Sequence, residues 1–228
     1  MRSRITVAAV LLGLAGGASR PMDAQQLSCA ERKCDRWAIK TATVGGKFKV
    51  QEKLTLQELQ AFDAPSDATE PHAGPTHQAK RLTGEVGTAH EHEGTLIRVE
   101  GYLRVMQHDK ADGDYHMQLS ATFDDSTTAT DVIVEIPDPD VLPDGGLKQR
   151  AETMRAWADK MAQGGHVSTA KGNLLEHRTW VFVEGQLFFD LHHNPNCDSR
   201  GKRHRHAGTC WEIHPVTAMG FADKSHAP

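Results

Sequence analysis

Hydrophobic and polar residues alternate along much of the second half of the chain, and a period of two is typical of half-buried β-strands. In residues 95–107 the apolar side is formed by Ile97, Val99, Gly101, Leu103 and Val105. The same alternation recurs in four later stretches, residues 115–120, 132–136, 179–190 and 210–221, the last interrupted by Pro215. The pattern therefore predicts five strands.

Between the third and fourth of these strands the period changes. Apolar residues follow one another at steps of three or four, namely Leu147, Ala151, Met154, Ala158 and Met161. Residues 146–162 are therefore predicted to form an amphipathic helix. The order strand, strand, strand, helix, strand, strand is that of an OB barrel. We expect a mainly β protein with one helix, a five-stranded OB-like Greek-key barrel over residues 95–222, and a tail at 223–228. Another five-stranded α+β sheet is the alternative.

The residues before this barrel, 25–94, are predicted to form an N-terminal extension. Trp37-Ala38-Ile39-Lys40 alternates like a short strand. Thr55 and Glu58 have the spacing of a capping box, which predicts a helical turn or two over residues 55–62. Residues 64–94 contain prolines, glycines and histidines without an apolar period. This stretch is therefore predicted to be a long loop or linker.

The first residues have the arrangement of a secretory signal peptide. Arg2 and Arg4 precede an apolar stretch at 5–18, and a small residue, Ala24, follows. We expect residues 1–24 to be removed by cleavage after Ala24, with Ala18 as the alternative. No apolar run approaches the roughly 20 residues of a membrane span, so we expect no transmembrane segment in the mature chain. The protein is predicted to be exported, either to the periplasm or into the medium.

Composition limits the classes of binding partner and indicates whether the cysteines form disulfides. The chain has 228 residues and a formal net charge of −4, which disfavours nucleic acid as the partner. Export would place the four cysteines in an oxidising compartment, where an even number favours disulfides. Their order suggests the pairs Cys29–Cys34 and Cys197–Cys210. A metal site at Cys29 and Cys34 is the alternative.

Five short segments, taken together and in order, carry a family resemblance. They are Gly113-Asp114-Tyr115-His116, Val134-Glu135-Ile136-Pro137-Asp138-Pro139, Gly185 followed by Phe188-Phe189-Asp190 and His192, Arg200-Gly201-Lys202, and Trp211-Glu212-Ile213-His214-Pro215-Val216. In these segments the chain resembles a group of uncharacterised bacterial secreted proteins, over about residues 95–221. The resemblance implies a small exported domain of unassigned function. His204-Arg205-His206, Cys197 and Cys210 depart from that pattern.

The loop between the last two strands is locally basic, and it predicts a binding surface. Arg200, Lys202, Arg203 and Arg205 lie in residues 194–209 against a single acid, Asp198. In an OB barrel this loop flanks the binding face. On that face Tyr102 would offer a stacking surface, and His116 and Glu135 would offer polar contacts. The leading interpretation is a non-catalytic binding module for an anionic ligand or an envelope protein partner, with no cofactor.

The polar faces of the predicted strands also allow an alternative interpretation, in which the protein is a metal-dependent enzyme. If the aliphatic residues point inward, His116, Glu135, Asp190 and His214 are expected to be exposed, and His192 follows Asp190 closely. Imidazole and carboxylate groups suit a divalent transition metal or acid–base chemistry near neutral pH. The metal set would be His116, Asp190, His192 and His214, in a secreted enzyme such as a hydrolase.

Two weaker readings remain open. His90 and His92 would share a face of an extended chain, which is compatible with weak metal binding or with plain solvation. The barrel would also serve a structural envelope protein that only mediates assembly. The chain has no Gly-x-Ser-x-Gly, His-Glu-x-x-His or Walker motif, which disfavours the standard hydrolases and nucleotide-dependent enzymes.

Overall fold

The computed structural model describes residues 36–68, 78, 80–86, 91–123, 130–143, 145–162, 164–169 and 172–223. The predicted signal peptide at 1–24, the pair Cys29 and Cys34, and His90 lie outside the described residues. So does most of the predicted tail, residues 224–228.

The described chain is mainly β, with few helices. The helices are α1 (Trp37–Lys40), α2 (Leu56–Gln60) and α3 (Gly146–Met161). The strands are β1 (Glu52–Lys53), β2 (Leu96–His108), β3 (Tyr115–Ser120), β4 (Thr130–Ile136), β5 (Asn173–Leu174), β6 (Trp180–Phe189) and β7 (His206–Phe221). The five long strands and the amphipathic helix α3 correspond to the elements that periodicity predicts.

The strands form one mixed sheet of seven, in which the five long strands close into a ring. The order is β2-β3-β4-β7-β6, and β6 pairs back onto β2. Within the ring β4 and β7 run parallel, and the other neighbours are antiparallel. The short strands β1 and β5 both pair with β2.

The apolar face of each long strand packs into one core. This core combines ring residues with the buried side of α3, and examples are Val99, Met117, Val134, Val183, Ile213 and Met154. Gly185 lies at a close approach of β6 to β7. A Cβ atom there would lie 2.4 Å from Cγ2 of Ile213 and 2.5 Å from the carbonyl oxygen of Pro215. The position therefore requires glycine because no side chain fits between the two strands.

The N-terminal extension packs on the ring and contributes to its core. Leu56 and Leu59 of α2 are buried in the core, as are Leu82 and Val86 of the long loop. The predicted capping box is confirmed, since the Thr55 hydroxyl accepts from the Glu58 amide at 3.1 Å and the Glu58 carboxylate accepts from the Thr55 amide. Among the described residues, no helix has the length and apolar character needed to cross a membrane.

Two local predictions are wrong. Trp37–Lys40 is a helix and not a strand. Trp37 and Ile39 are both buried and Ala38 is exposed, so the alternation of burial is real although the backbone is helical. The last strand is not interrupted at Pro215 but runs through it, and the pairing with β6 shifts register beside this proline.

Candidate functional site

The polar face of β3, β4 and β7 is buried, contrary to the expected exposure. His116, Glu135 and His214 are 3%, 7% and 0% exposed. The alternation correctly assigns them to the face opposite the apolar core. However, α1 lies over that face, with the Lys40 ammonium 3.5 Å from Glu135 and 5.5 Å from the ring centre of Phe188. The result is a second, polar interior on the outside of the ring.

Glu135 is the centre of this polar interior. Its Oε1 lies 2.9 Å from Nδ1 of His116, and its Oε2 lies 2.9 Å from Nδ1 of His214. The Nζ atom of Lys40 is 3.5 Å from the same Oε2. One carboxylate oxygen is therefore held by the histidine of the neighbouring strand β3, while the other faces His214 and Lys40.

Three carboxylates surround His214, those of Asp114, Glu135 and Glu212. Its Nε2 is 3.3 Å from Oδ2 of Asp114, and its Nδ1 is 3.7 Å from Oε1 of Glu212 as well as close to Glu135. The other oxygen of Asp114 accepts a hydrogen bond from the Asp138 amide at 2.9 Å. As with Glu135, one oxygen of Asp114 is fixed and the second is directed towards His214.

The atoms that meet around His214 are close but lack hydrogen-bond geometry. Oδ2 of Asp114, Oε2 of Glu135, Oε1 of Glu212 and both ring nitrogens of His214 are buried without a hydrogen-bond partner among the described residues. Buried polar atoms normally have partners, because each unpaired one costs about 1–3 kcal/mol. Several such atoms therefore meet around one imidazole.

Electrostatics at this site follow from burial and from the excess of carboxylates. Burial lowers the pKa of His214 and so does Lys40, but Glu135, Glu212 and Asp114 outweigh both and raise it to about 9. Burial raises the pKa of Asp114, and Asp112 adds to the effect. Burial also acts to raise the pKa of Glu135, but Lys40, His116 and His214 hold it well below its usual range. The cluster therefore attracts positive charge.

Asp114, Glu135 and His214 can together hold a metal ion. Each offers one ligand atom, and these atoms lie within 4.8 Å of one another, all from buried residues. Of the predicted metal set, the structure brings His116 and His214 into this cluster, with His116 acting through Glu135. Asp114 was not singled out by the sequence analysis, although the period of two places it on the same face as His116.

Asp190 belongs to an adjoining ion-pair network. Its Oδ2 lies 2.9 Å from Nε of Arg200 and 2.6 Å from Nδ1 of His193, and Arg200 also pairs with Glu212. The predicted ligand His192 gives only its backbone amide to Asp190, at 2.9 Å, and its imidazole is exposed. Thus His193, the next residue along, provides the imidazole that Asp190 binds.

The cations of the predicted anion-binding loop are largely engaged within the protein. Arg200 is buried in the network of Asp190 and Glu212, and Arg205 forms two bonds to Asp131, at 2.6 and 2.8 Å. Lys202 approaches Asp109 at 3.8 Å, and Arg203 is exposed. The loop is joined to β7 by a disulfide between Cys197 and Cys210, as predicted.

Tyr102 and the His90/His92 pair lie apart from the cluster. Tyr102 packs edge-on against Phe123 and Trp180 and pairs with Ser120, at the opposite end of β3 from His116. The imidazole of His92 is exposed, and its Nδ1 contacts the carbonyl oxygen of Glu93 at 2.8 Å.

Arg36 and Glu93 form a buried ion pair that the sequence analysis did not find. Their side chains are 1% and 0% exposed, and the pair is bidentate, with one N–O distance of 2.6 Å. Glu93 also accepts from the backbone amides of Leu82 and Phe189. The pair fastens the start of α1 to the ring beside the cluster. No local pattern reports it, because the partners are far apart in the sequence.

The pairing of Asp190 predicts an acid-dependent loss of stability. Although burial opposes it, Arg200 and His193 hold the pKa of Asp190 well below its usual range. Such a carboxylate adds stability above its unfolded pKa of about 4 and loses it as the pH falls further. We expect Asp190→Asn to lower the free energy of unfolding by about 2 kcal/mol at pH 7, and the difference from wild type to shrink towards pH 3.

Urea unfolding at a series of pH values, with a chelator present, measures this difference. Asp198→Asn is the matched control, because Asp198 is exposed on the same loop. A difference for Asp190→Asn that stays constant down to pH 3 would contradict the assignment of this ion pair.

Comparison of the chain with models of known protein families and with curated proteins finds no match in either.

Proposed function

We propose that this protein is an exported metal-binding domain that holds one divalent transition metal ion through Asp114, Glu135 and His214. The observation that carries the proposal is the convergence of buried, hydrogen-bond-deficient donor atoms on His214. A cation placed among them would give Oδ2 of Asp114, Oε2 of Glu135 and one ring nitrogen of His214 the partner that they lack.

The chemistry of the donors supports a transition metal. Two carboxylates and one imidazole suit Zn²⁺ and its neighbours in the first transition series. Ligands of this kind are usually held in place by their own hydrogen bonds. Here His116 holds Oε1 of Glu135 and the Asp138 amide holds Oδ1 of Asp114, which leaves the second oxygen of each for the metal.

Burial favours binding over turnover as the role of the ion. Asp114 and His214 are both 0% exposed, and α1 lies over Glu135. A catalytic metal needs an open position for water or substrate. We therefore infer that this ion is stored, sensed or used to fix the fold, and we prefer this reading to a metal-dependent hydrolase.

The proposal also covers the fold of the domain and its export. We infer an OB-like Greek-key barrel, because the ring has the strand–strand–strand–helix–strand–strand order and α3 lies between its third and fourth strands. Export is inferred from the signal-like residues 1–24 and supported by the disulfide Cys197–Cys210. The anion-binding interpretation stays a prediction that would now depend on Lys202 and Arg203.

The test is metal binding by the mature protein, without an affinity tag because the chain contains 14 histidines. We expect about one equivalent of Zn²⁺ by elemental analysis and titration calorimetry, and His214→Ala should weaken binding by at least ~100-fold because it removes a ligand. His92→Ala is the matched control, since His92 is exposed and outside the cluster. Absence of stoichiometric binding, or equal binding by His214→Ala, would reject the proposal.

A further inference from the structure

We propose that Lys40 is a built-in competitor for the metal, whose ammonium group occupies the cation position beside Glu135 and must leave when the ion binds. This inference rests on the proposed metal site. It adds a residue that sets the affinity of the site and couples its occupancy to α1.

The position of the ammonium group is the first argument. Nζ of Lys40 lies 3.5 Å from Oε2 of Glu135, which is the oxygen that His116 leaves unoccupied and that the metal would use. Two cations cannot share one carboxylate oxygen at such distances without strong mutual repulsion. The carboxylates of Glu135, Glu212, Asp112 and Asp114 all attract the same ammonium group. Two of them, Glu135 and Asp114, are also the carboxylate ligands of the proposed metal site.

The second argument is that the Lys40 side chain can move into solvent. It is the last residue of α1, and its side chain remains 16% exposed, whereas the side chain of Glu135 beneath it is 9% exposed. The ammonium group also stands over the ring of Phe188 at 5.5 Å. A rotation of this long, flexible side chain would carry the charge into solvent.

The third argument is that α1 is fastened independently of Lys40. Arg36, at the start of the helix, binds Glu93, the carbonyl oxygen of Phe189 and that of Lys80. The helix can therefore remain docked while the lysine exchanges with the ion. Metal entry requires the movement of one side chain and not the opening of the fold.

This arrangement predicts two opposite effects of one substitution. Lys40→Met removes the competitor and should tighten Zn²⁺ binding by at least ~10-fold. Without metal, the same substitution leaves the carboxylates around His214 with less positive charge, so the apo protein should unfold at lower urea concentration. A lysine with a purely structural role would lower the stability and leave the affinity unchanged or weaker.

The experiment measures Zn²⁺ affinity by titration calorimetry and urea unfolding without metal for wild type, Lys40→Met, Lys40→Arg and Lys49→Met. Lys40→Arg keeps the charge and should bind like wild type. Lys49→Met is the control because Lys49 is exposed in the same segment. Equal or weaker binding by Lys40→Met than by wild type overturns the inference but leaves the metal site standing. No binding by any of these proteins rejects the metal site itself.

A second measurement on the unmodified sequence does not depend on a variant that folds. An amine-reactive reagent, followed by peptide mass spectrometry, reports the accessibility of each lysine with and without Zn²⁺. We expect Zn²⁺ to increase the labelling of Lys40 several-fold and to leave Lys49 unchanged. Equal or lower labelling of Lys40 with saturating metal would show that the ammonium group does not leave.

Discussion

Replacing Arg36 by Met should lower the free energy of unfolding by about 3–5 kcal/mol, because the substitution leaves the buried Glu93 carboxylate without its counter-ion. Both side chains are almost fully enclosed, at 1% and 0% exposure, so water cannot take the place of the lost partner. Glu93 also accepts hydrogen bonds from the backbone amides of Leu82 and Phe189, which belong to different parts of the fold. Loss of the arginine therefore weakens the attachment of the whole N-terminal segment to the ring.

Urea unfolding followed by fluorescence measures this loss, and a double variant identifies its cause. Arg36→Met combined with Glu93→Gln should be more stable than Arg36→Met alone, since the unpaired charge is removed. The matched control is Arg98→Met. Arg98 pairs with Glu100 and Glu184 at 2.8 and 3.1 Å but is 25% exposed, so we expect a loss of about 1 kcal/mol or less. Similar losses for Arg36→Met and Arg98→Met would show that burial does not govern these ion pairs.

Gly185→Ala should destabilise the protein by about 3 kcal/mol, since the added methyl group has no space between β6 and β7. It would lie 2.5 Å from the carbonyl oxygen of Pro215, which is backbone and cannot rotate away. The strands would have to separate at the point where their register already shifts. Thermal or urea unfolding measures the effect.

Gly146→Ala is the control for this substitution. Gly146 is the first residue of α3, and a Cβ atom there would meet only the ring edge of Phe48, at 3.3 Å. A half-buried ring can move aside more easily than backbone, and alanine favours the helix, so we expect a change within about 1 kcal/mol. A Gly185→Ala protein that is as stable as this control would contradict the close approach of β6 and β7.

The strands and α3 could be predicted from the sequence because the spacing of their apolar residues shows which side chains are buried. Alternation also separated the two faces correctly, so that His116, Glu135 and His214 were placed on one side of the sheet. It could not show what covers that side. The covering depends on α1, whose four residues are too few for a period to distinguish a helix from a strand.

The candidate site could be predicted only in part, because the sequence does not show which charged residues pair with one another. A count of charges predicts a basic loop, but it does not reveal that Arg200 and Arg205 are neutralised by Glu212 and Asp131. Asp131 is 74 residues from Arg205 along the chain, and Glu212 lies 12 residues after Arg200, on the following strand. Lys40 was missed because nothing adjacent to it in the chain is acidic. By contrast, Glu212 could have been found, since it shares a strand face with His214.

The closure of the ring has a consequence for the order in which this protein folds. The pairing that closes it joins Leu96 to Gln186 and Tyr102 to Trp180, and the parallel pair joins Ile133 to Glu212. Such distant contacts repay the entropy of loop closure only late, so folding of this topology is expected to be slow. As the chain emerges from its N-terminus, β2, β3 and β4 are present long before β6 and β7. Until those last strands arrive, the edges of β2 and β4 are open, and the chain is then most prone to pair with another copy of itself.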